Sequence, residues 1–350
     1  MTGAGVHRAR EVEEAALAWL TAHREEFVLG EDALAPEGRV NDSWKPLGEL
    51  AQVCVSVRGR TAPTDPVYAT VTDLLAFAWR QTRHGALFLQ LQRLEPFATY
   101  PLEVYAPFAS AGLRHPGYEA AAAAVARTRG WQLTEQQPTR RLGVRMAERR
   151  SGMRAPEPGP EAVARTWLGG LSEPWTFERS SGYQLTHVVF HLTDWGCGAD
   201  GLPPALASYL AHWLPPWLDS CLEARDWDLA CELLAVAATL PRPLDPATLR
   251  DAWDRTAAAQ HTTGALPEQG EGPAADERSA EGAGRYFAGT YHSTLMAAFA
   301  AALTLGRPHG RGPGHGSPPL HGDGGPARHP RHPWDPWGVP ERHGGQGVRG

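Results

Sequence analysis

Apolar residues recur along this chain at helical spacing, and glycine or proline interrupts them at helix-length intervals. Val12, Ala15, Ala16, Trp19, Leu20 and Phe27 predict a helix over residues 10–29. Asn41, Asp42 and Ser43 offer capping side chains ahead of Pro46, and Leu47, Leu50, Ala51, Cys54 and Val55 form the next stripe. Further stripes predict helices from Pro66, over 87–94, 118–129, 161–171, 183–195, 204–225 with a break at Pro215 and Pro216, 227–240 behind an Asp226 cap, 246–257 and 284–305. Residues 96–107 read as irregular, and the polar, glycine-rich stretch 262–282 reads as a mobile loop. Alternation of the strand type is scarce, so the chain reads as all-α.

One stripe carries most of the chemistry. If residues 183–195 are helical, a turn of about 100° per residue places Tyr183, His187, His191 and Asp194 on one face. Leu185, Val188, Val189, Leu192 and Trp195 fall on the other, the pattern of a helix seated on a core. A solvated face is normally rich in Lys, Glu and Arg, whereas this one holds Tyr, Gln, two His and one Asp, which suits a cavity wall. Imidazoles at i and i+4 can address one ion, with His292 as a third ligand from another helix, or they can carry protons with Asp194 orienting them. The bland alternative is a set of hydrogen-bonded histidines inside a polar cavity. No Glu follows His187, so the zinc-protease motif is absent.

Composition narrows the classes. The 350 residues suffice for one large or two ordinary domains, and the formal charge is −6. An acidic chain without a sustained basic face is a poor nucleic-acid partner, since phosphate neutralisation supplies most of that affinity. The local exception, Arg140, Arg141, Arg145, Arg149, Arg150 and Arg154, reads as a solvated linker or helix face. Cys54, Cys197, Cys221 and Cys231 form no C-x-x-C pair and read as reduced thiols of a cytoplasmic protein. The N-terminus lacks the apolar core of a signal peptide, and no apolar run approaches the ~20 residues of a membrane span. No membrane partner is therefore expected.

The expected architecture is a set of stacked helical hairpins in one domain over 1–306, with a point of subdivision near 150–160, arranged as an α/α-toroid or a solenoid. From Arg307 the composition turns to Gly, Pro, Arg and His, which predicts a disordered tail over 307–350. Its histidines 309, 315, 321, 329, 332 and 343 could bind transition metals weakly.

Three blocks, Trp44-Lys-Pro-Leu-Gly-Glu-Leu-Ala51, Leu185-Thr-His-Val-Val-Phe-His-Leu-Thr-Asp-Trp-Gly196 and Tyr291-His-Ser-Thr-Leu295, resemble those of an uncharacterised helical family of actinomycetes, some of whose members lie near natural-product genes. The resemblance spans roughly residues 10–306. It implies a toroid-like fold, reminiscent of lanthionine cyclases, and no established activity. The zinc set of those cyclases includes an adjacent Cys-His pair that this chain lacks, so only Cys197, Cys231 and His292 are left to imitate it. Toroid glycosidases need two facing carboxylates, for which Glu103, Asp194 and Asp228 are available.

Two functions follow as expectations. The first is a cytoplasmic binding or accessory protein holding a small molecule or peptide in a polar cavity, linked to specialised metabolism. The alternative is a metal-assisted or acid/base enzyme with Tyr183, His187, His191 and Asp194 as its catalytic set and His187, His191 and His292 as ligands of a divalent metal such as zinc. The absence of a nucleophile motif, a phosphate loop or a dinucleotide fingerprint favours the first.

Overall fold

The structure, a computed structural model, describes residues 3–35, 43–153, 159–198, 201–272 and 280–306. Among them there are helices and no strands, so the fold is all-α. In chain order the helices are α1 (Gly3–Ala22), α2 (Trp44–Arg60), α3 (Pro66–Gln81), α4 (Ala86–Leu94), α5 (Tyr100–Ser110), α6 (Pro116–Ala126), α7 (Arg129–Thr134) and α8 (Pro138–Arg150). They continue with α9 (Pro160–Ala164), α10 (Arg179–Leu192), α11 (Pro204–Glu223), α12 (Trp227–Thr239), α13 (Pro246–Ala259), α14 (Ala280–Ala288) and α15 (Tyr291–Leu305).

Six of these helices pack in cyclic order: α2 on α5, α5 on α8, α8 on α10, α10 on α12, α12 on α15, and α15 back on α2. The others lie outside this ring, with α1 against α15 and α13, α3 against α2, α4 and α6 beside α5, α9 on α8, and α11 on α12. Sequence chemistry explains the division. In α15 every residue from Tyr291 to Leu303 except His292 is buried, and in α12 every residue from Trp227 to Ala237 is buried. A helix that is apolar on all sides must be enclosed by others. The small residues Ala297, Ala298, Ala300, Ala301 and Ala302 let α1, α2 and α12 approach α15 closely. One apolar core runs from Ala9 to Leu303 and takes side chains from both flanks of residues 150–160.

The ring helices run in the same direction. Tyr183 at the start of α10 meets Asp228 at the start of α12, His292 at the start of α15 meets Glu49 early in α2, and Arg140 at the start of α8 meets Glu103 at the start of α5. At the other end, Arg58 of α2 reaches the carbonyl of Ala111 just past α5. Arg60 reaches the carbonyls of Gly196 and Gly306, just past α10 and α15, and Arg150 pairs with Asp194. Six helix N-termini therefore gather at one rim, each carrying a partial positive charge of about half a unit, which favours carboxylates there.

Several expectations need correction. Residues 100–110 are helical (α5), because Pro101 sits in the first turn, where a missing N–H is harmless, and the helix is buried from Tyr100 to Ala109. Helix α11 continues through Pro215 and Pro216, since its buried residues Leu210, Leu214, Trp217 and Leu218 hold it on its neighbours. The helix expected over 161–171 stops at Ala164. Arg140, Arg141, Arg145, Arg149 and Arg150 lie on α8, a ring helix in which Arg140 is buried, so they form no solvated face, and Arg154 lies outside the described residues.

Residues 262–272 are also packed: Ala265 and Leu266 are buried, Leu266 N–H donates to Thr294 Oγ1, and the Glu268 carbonyl accepts from Asp228 N–H. No described helix is long and apolar enough to cross a membrane. The 307–350 segment with its six histidines, and residues 154–158 within the expected subdivision point, lie outside the described residues.

Candidate functional site at the N-terminal rim

His292 is the centre of the rim. Its Nδ1 lies 3.0 Å from Glu49 Oε2, and its Nε2 lies 3.5 Å from both Asp228 Oδ1 and Glu232 Oε1. Asp228 and Glu232 are one turn apart on α12, so both point at the same neighbour. Donors from α10 hold their outer oxygens: the Tyr183 hydroxyl donates to Asp228 Oδ2 at 2.5 Å and the Thr186 hydroxyl donates to Glu232 Oε2. Arg179 in turn donates to the Tyr183 hydroxyl and pairs with Asp226. The His292 side chain keeps 15% of its exposure, while the Glu49 and Glu232 side chains have almost none.

The electrostatics follow from this packing. Burial alone would lower the affinity of His292 for a proton, but the charges of Asp228 and Glu49 outweigh it and hold the imidazolium well above the ordinary histidine range. Burial pushes the Asp228 carboxyl up to about 7, with the Glu232 charge adding to the effect and His292 opposing it. Burial acts on Glu232 as well, yet the attractions of His292 and His187 bring it below the usual carboxylate range. Two carboxylates one turn apart are thus held in different protonation states near neutral pH.

His187 and His191 lie deeper along the same face of α10, both buried, with ring centres 6.2 Å apart and planes at 21°. Burial, followed by the neighbouring His187 and Arg140, holds His191 well below the ordinary range, so its ring is neutral. Its Nδ1 has no hydrogen-bond partner among the described residues. The ring borders a cavity lined by Gln52, Glu103, Gly143, Met146 and Trp195, with about 10 Å³ for the centre of a water-sized sphere, roughly one water molecule.

The predicted set is therefore divided. Tyr183, His187 and His191 do share an inward face. Asp194 does not join them, because α10 ends at Leu192 and Asp194 takes a left-handed conformation (φ 49°) beyond it. There its carboxylate accepts from Arg150 Nε at 2.6 Å, at the opposite rim. His292 is engaged by the three carboxylates. Among the described residues no group of three or more His, Cys, Asp or Glu is arranged to share a metal ion. Cys231 is buried with a thiol pushed well up by that burial, and none of the four cysteines forms a disulfide.

Of the three carboxylates weighed from sequence, Glu103 is gripped by Arg140 at 2.8 and 2.9 Å and Asp194 by Arg150, which leaves Asp228. Glu49 and Glu232 escaped the sequence reading. A signal was present: Asp228 and Glu232 are the acids of an otherwise apolar helix, and a charge enclosed on all sides needs a partner.

Residues 13–302 match the family described as Domain of unknown function (DUF6895). No curated protein and no solved structure matches the chain.

Proposed function

We propose a function for this chain as a member of the DUF6895 family, to which it belongs over residues 13–302: it binds a small polar molecule at the rim where the six ring helices begin. One observation carries the reading. The Nε2–H of His292 faces two buried carboxylate oxygens at equal distance and can satisfy only one, so the site is one donor short. Buried polar groups in folded proteins are normally paired, and unpaired ones concentrate where a ligand completes the set. A cytoplasmic setting belongs to the same proposal and is supported by four cysteines that form no disulfide.

The test is the unfolding temperature of the full chain with amines, carboxylic acids and sugars. A ligand of the folded state raises it by mass action, and Tyr183→Phe, which frees Asp228 of its hydroxyl partner, should alter that rise. No rise with any class would overturn the reading. A rise identical in the variant would place binding elsewhere.

A second reading, acid/base catalysis, is favoured by one feature, the division of protonation between Asp228 and Glu232. In it Asp228 gives a proton, Glu232 receives one, and His187 stands behind Glu232. It predicts turnover with an optimum on the acid side of neutral, failing in alkali as Asp228 loses its proton near 7 and in stronger acid as Glu232 gains one.

A further inference from the structure

Resting on the proposed rim site, we infer that its ligand carries a cationic nitrogen, of the primary-ammonium class, seated among Glu49, Asp228 and Glu232. The first argument is a count of donors. Glu49 Oε1, Asp228 Oδ1 and Glu232 Oε1 are buried and lack a hydrogen bond among the described residues. The protein's own donors meet the other side of the α12 carboxylates, Tyr183 on Asp228 Oδ2 and Thr186 on Glu232 Oε2, while Glu49 is held by His292 Nδ1 on Oε2 and by a hydrogen bond from Tyr291. Asp228 Oδ1 and Glu232 Oε1 are left sharing the one N–H of His292 Nε2, 3.5 Å from each. An ammonium offers three N–H donors and no acceptor, which meets that shortage.

Charge gives a second, separate argument. Glu49 from α2 and Asp228 and Glu232 from α12, three carboxylates, face His292 from α15. From α10, Tyr183 brings no fixed charge, His187 attracts Glu232, and the Arg179 guanidinium is engaged with Asp226. Glu268, on the segment over the start of α12, adds to the negative field at Asp228. With all of these ionised, the enclosed group carries an excess of negative charge that the protein relieves by leaving a proton on Asp228. A cationic ligand relieves it in another way. An anion would meet the same excess as repulsion, and a neutral polyol would supply donors but leave the charge standing. A shared metal ion lacks its ligand geometry among the described residues.

The experiment is calorimetric titration of the full chain with 1-butylammonium, 1-butanol and butyrate, which share a tail and differ in the charge of the head group. The expected result is binding of the ammonium alone, at least tenfold tighter at pH 8 than at pH 6, because Asp228 loses its competing proton between them while the ammonium stays charged. Glu232→Gln, checked for folding by circular dichroism, should weaken it tenfold or more. Asp228→Asn should abolish the pH dependence, giving a second reading should Glu232→Gln fail to fold. Binding of butanol or butyrate in place of the ammonium would overturn the cationic class and leave the rim site standing. Ammonium binding that both variants leave unchanged would overturn the class at this site, and no binding by any probe would remove it.

Discussion

His292 Nδ1 stands 3.0 Å from Glu49 Oε2, and this contact joins α15 to α2, the last helix of the ring to the first. The partner is a carboxylate with almost no exposure, so removing either side strands a buried charge. Breaking such a pair costs about 3–5 kcal/mol, and His292→Gln should lose stability of that order in urea unfolding at pH 6. The sign with pH is fixed by the raised value of His292. The folded state keeps a proton that the unfolded chain releases near 6.5, so the stabilisation is complete below that pH and declines as pH rises through the folded value. The gap between wild type and His292→Gln should therefore be widest in acid and narrow in alkali; a gap that widens with pH would contradict the imidazolium.

Asp228 makes the opposite case for a carboxylate. Held at about 7 by burial, it keeps in the folded state a proton that the unfolded chain loses near 3.8. Between those values the folded state binds more protons, so stability falls as pH rises. Glu13 of α1, also pushed up to about 7 by burial, adds a second contribution in the same window. Asp228→Asn should flatten the fall between pH 4 and pH 7, and Glu13→Gln should flatten what is left. An unchanged slope in Asp228→Asn would show that its carboxyl ionises normally.

The arginine pairs inside the ring invite a double-mutant cycle. Arg140 donates to Glu103 Oε1 at 2.8 Å and Oε2 at 2.9 Å, with both side chains buried. Arg140→Met alone should cost about 3–5 kcal/mol, because Glu103 is left charged and enclosed, whereas Arg140→Met with Glu103→Leu should recover most of that loss. A double variant no more stable than the single one would mean that the pair holds the α5–α8 contact by more than its charge.

How much of this could be read from sequence depends on what each residue answers to. The inward face of α10 was legible because Tyr183, His187 and His191 obey the helical period, a local rule. Asp194 obeys it too, but α10 ends two residues earlier: the Trp195 amide donates back to the Phe190 carbonyl, and residues 194–196 turn left-handed. The arginines of α8 looked like a solvated run because their partners, Glu103 and Asp194, are distant in sequence. Glu49, Asp228 and His292 likewise come from three helices that only the closed ring brings together. Burial of α12 and α15, by contrast, was written in their unbroken apolar and alanine composition.

Gly143 sets the spacing of α8 and α10, and it supports the last prediction. A Cβ at this position would lie 2.9 Å from His191 Nε2, 3.0 Å from Cε1 and 3.6 Å from Glu103 Oε2. The first two are closer than carbon tolerates. His191 has little freedom to yield, since its ring is buried on the inner face of α10 and the cavity beside it holds about one water. Glu103 is fixed by Arg140. Gly143→Ala must therefore push α8 outward or turn His191 into the adjoining cavity, and overpacking of this kind costs about 1–3 kcal/mol. Alanine's better helix propensity returns up to about 1 kcal/mol of that, so urea unfolding should show a net loss. The two routes are separable by the His191 ring resonance: rotation of the ring into the cavity changes its chemical shift, while outward movement of α8 leaves it and weakens the Arg140 pair. A variant as stable as wild type, with His191 unmoved, would mean that α8 and α10 are not in contact at this glycine.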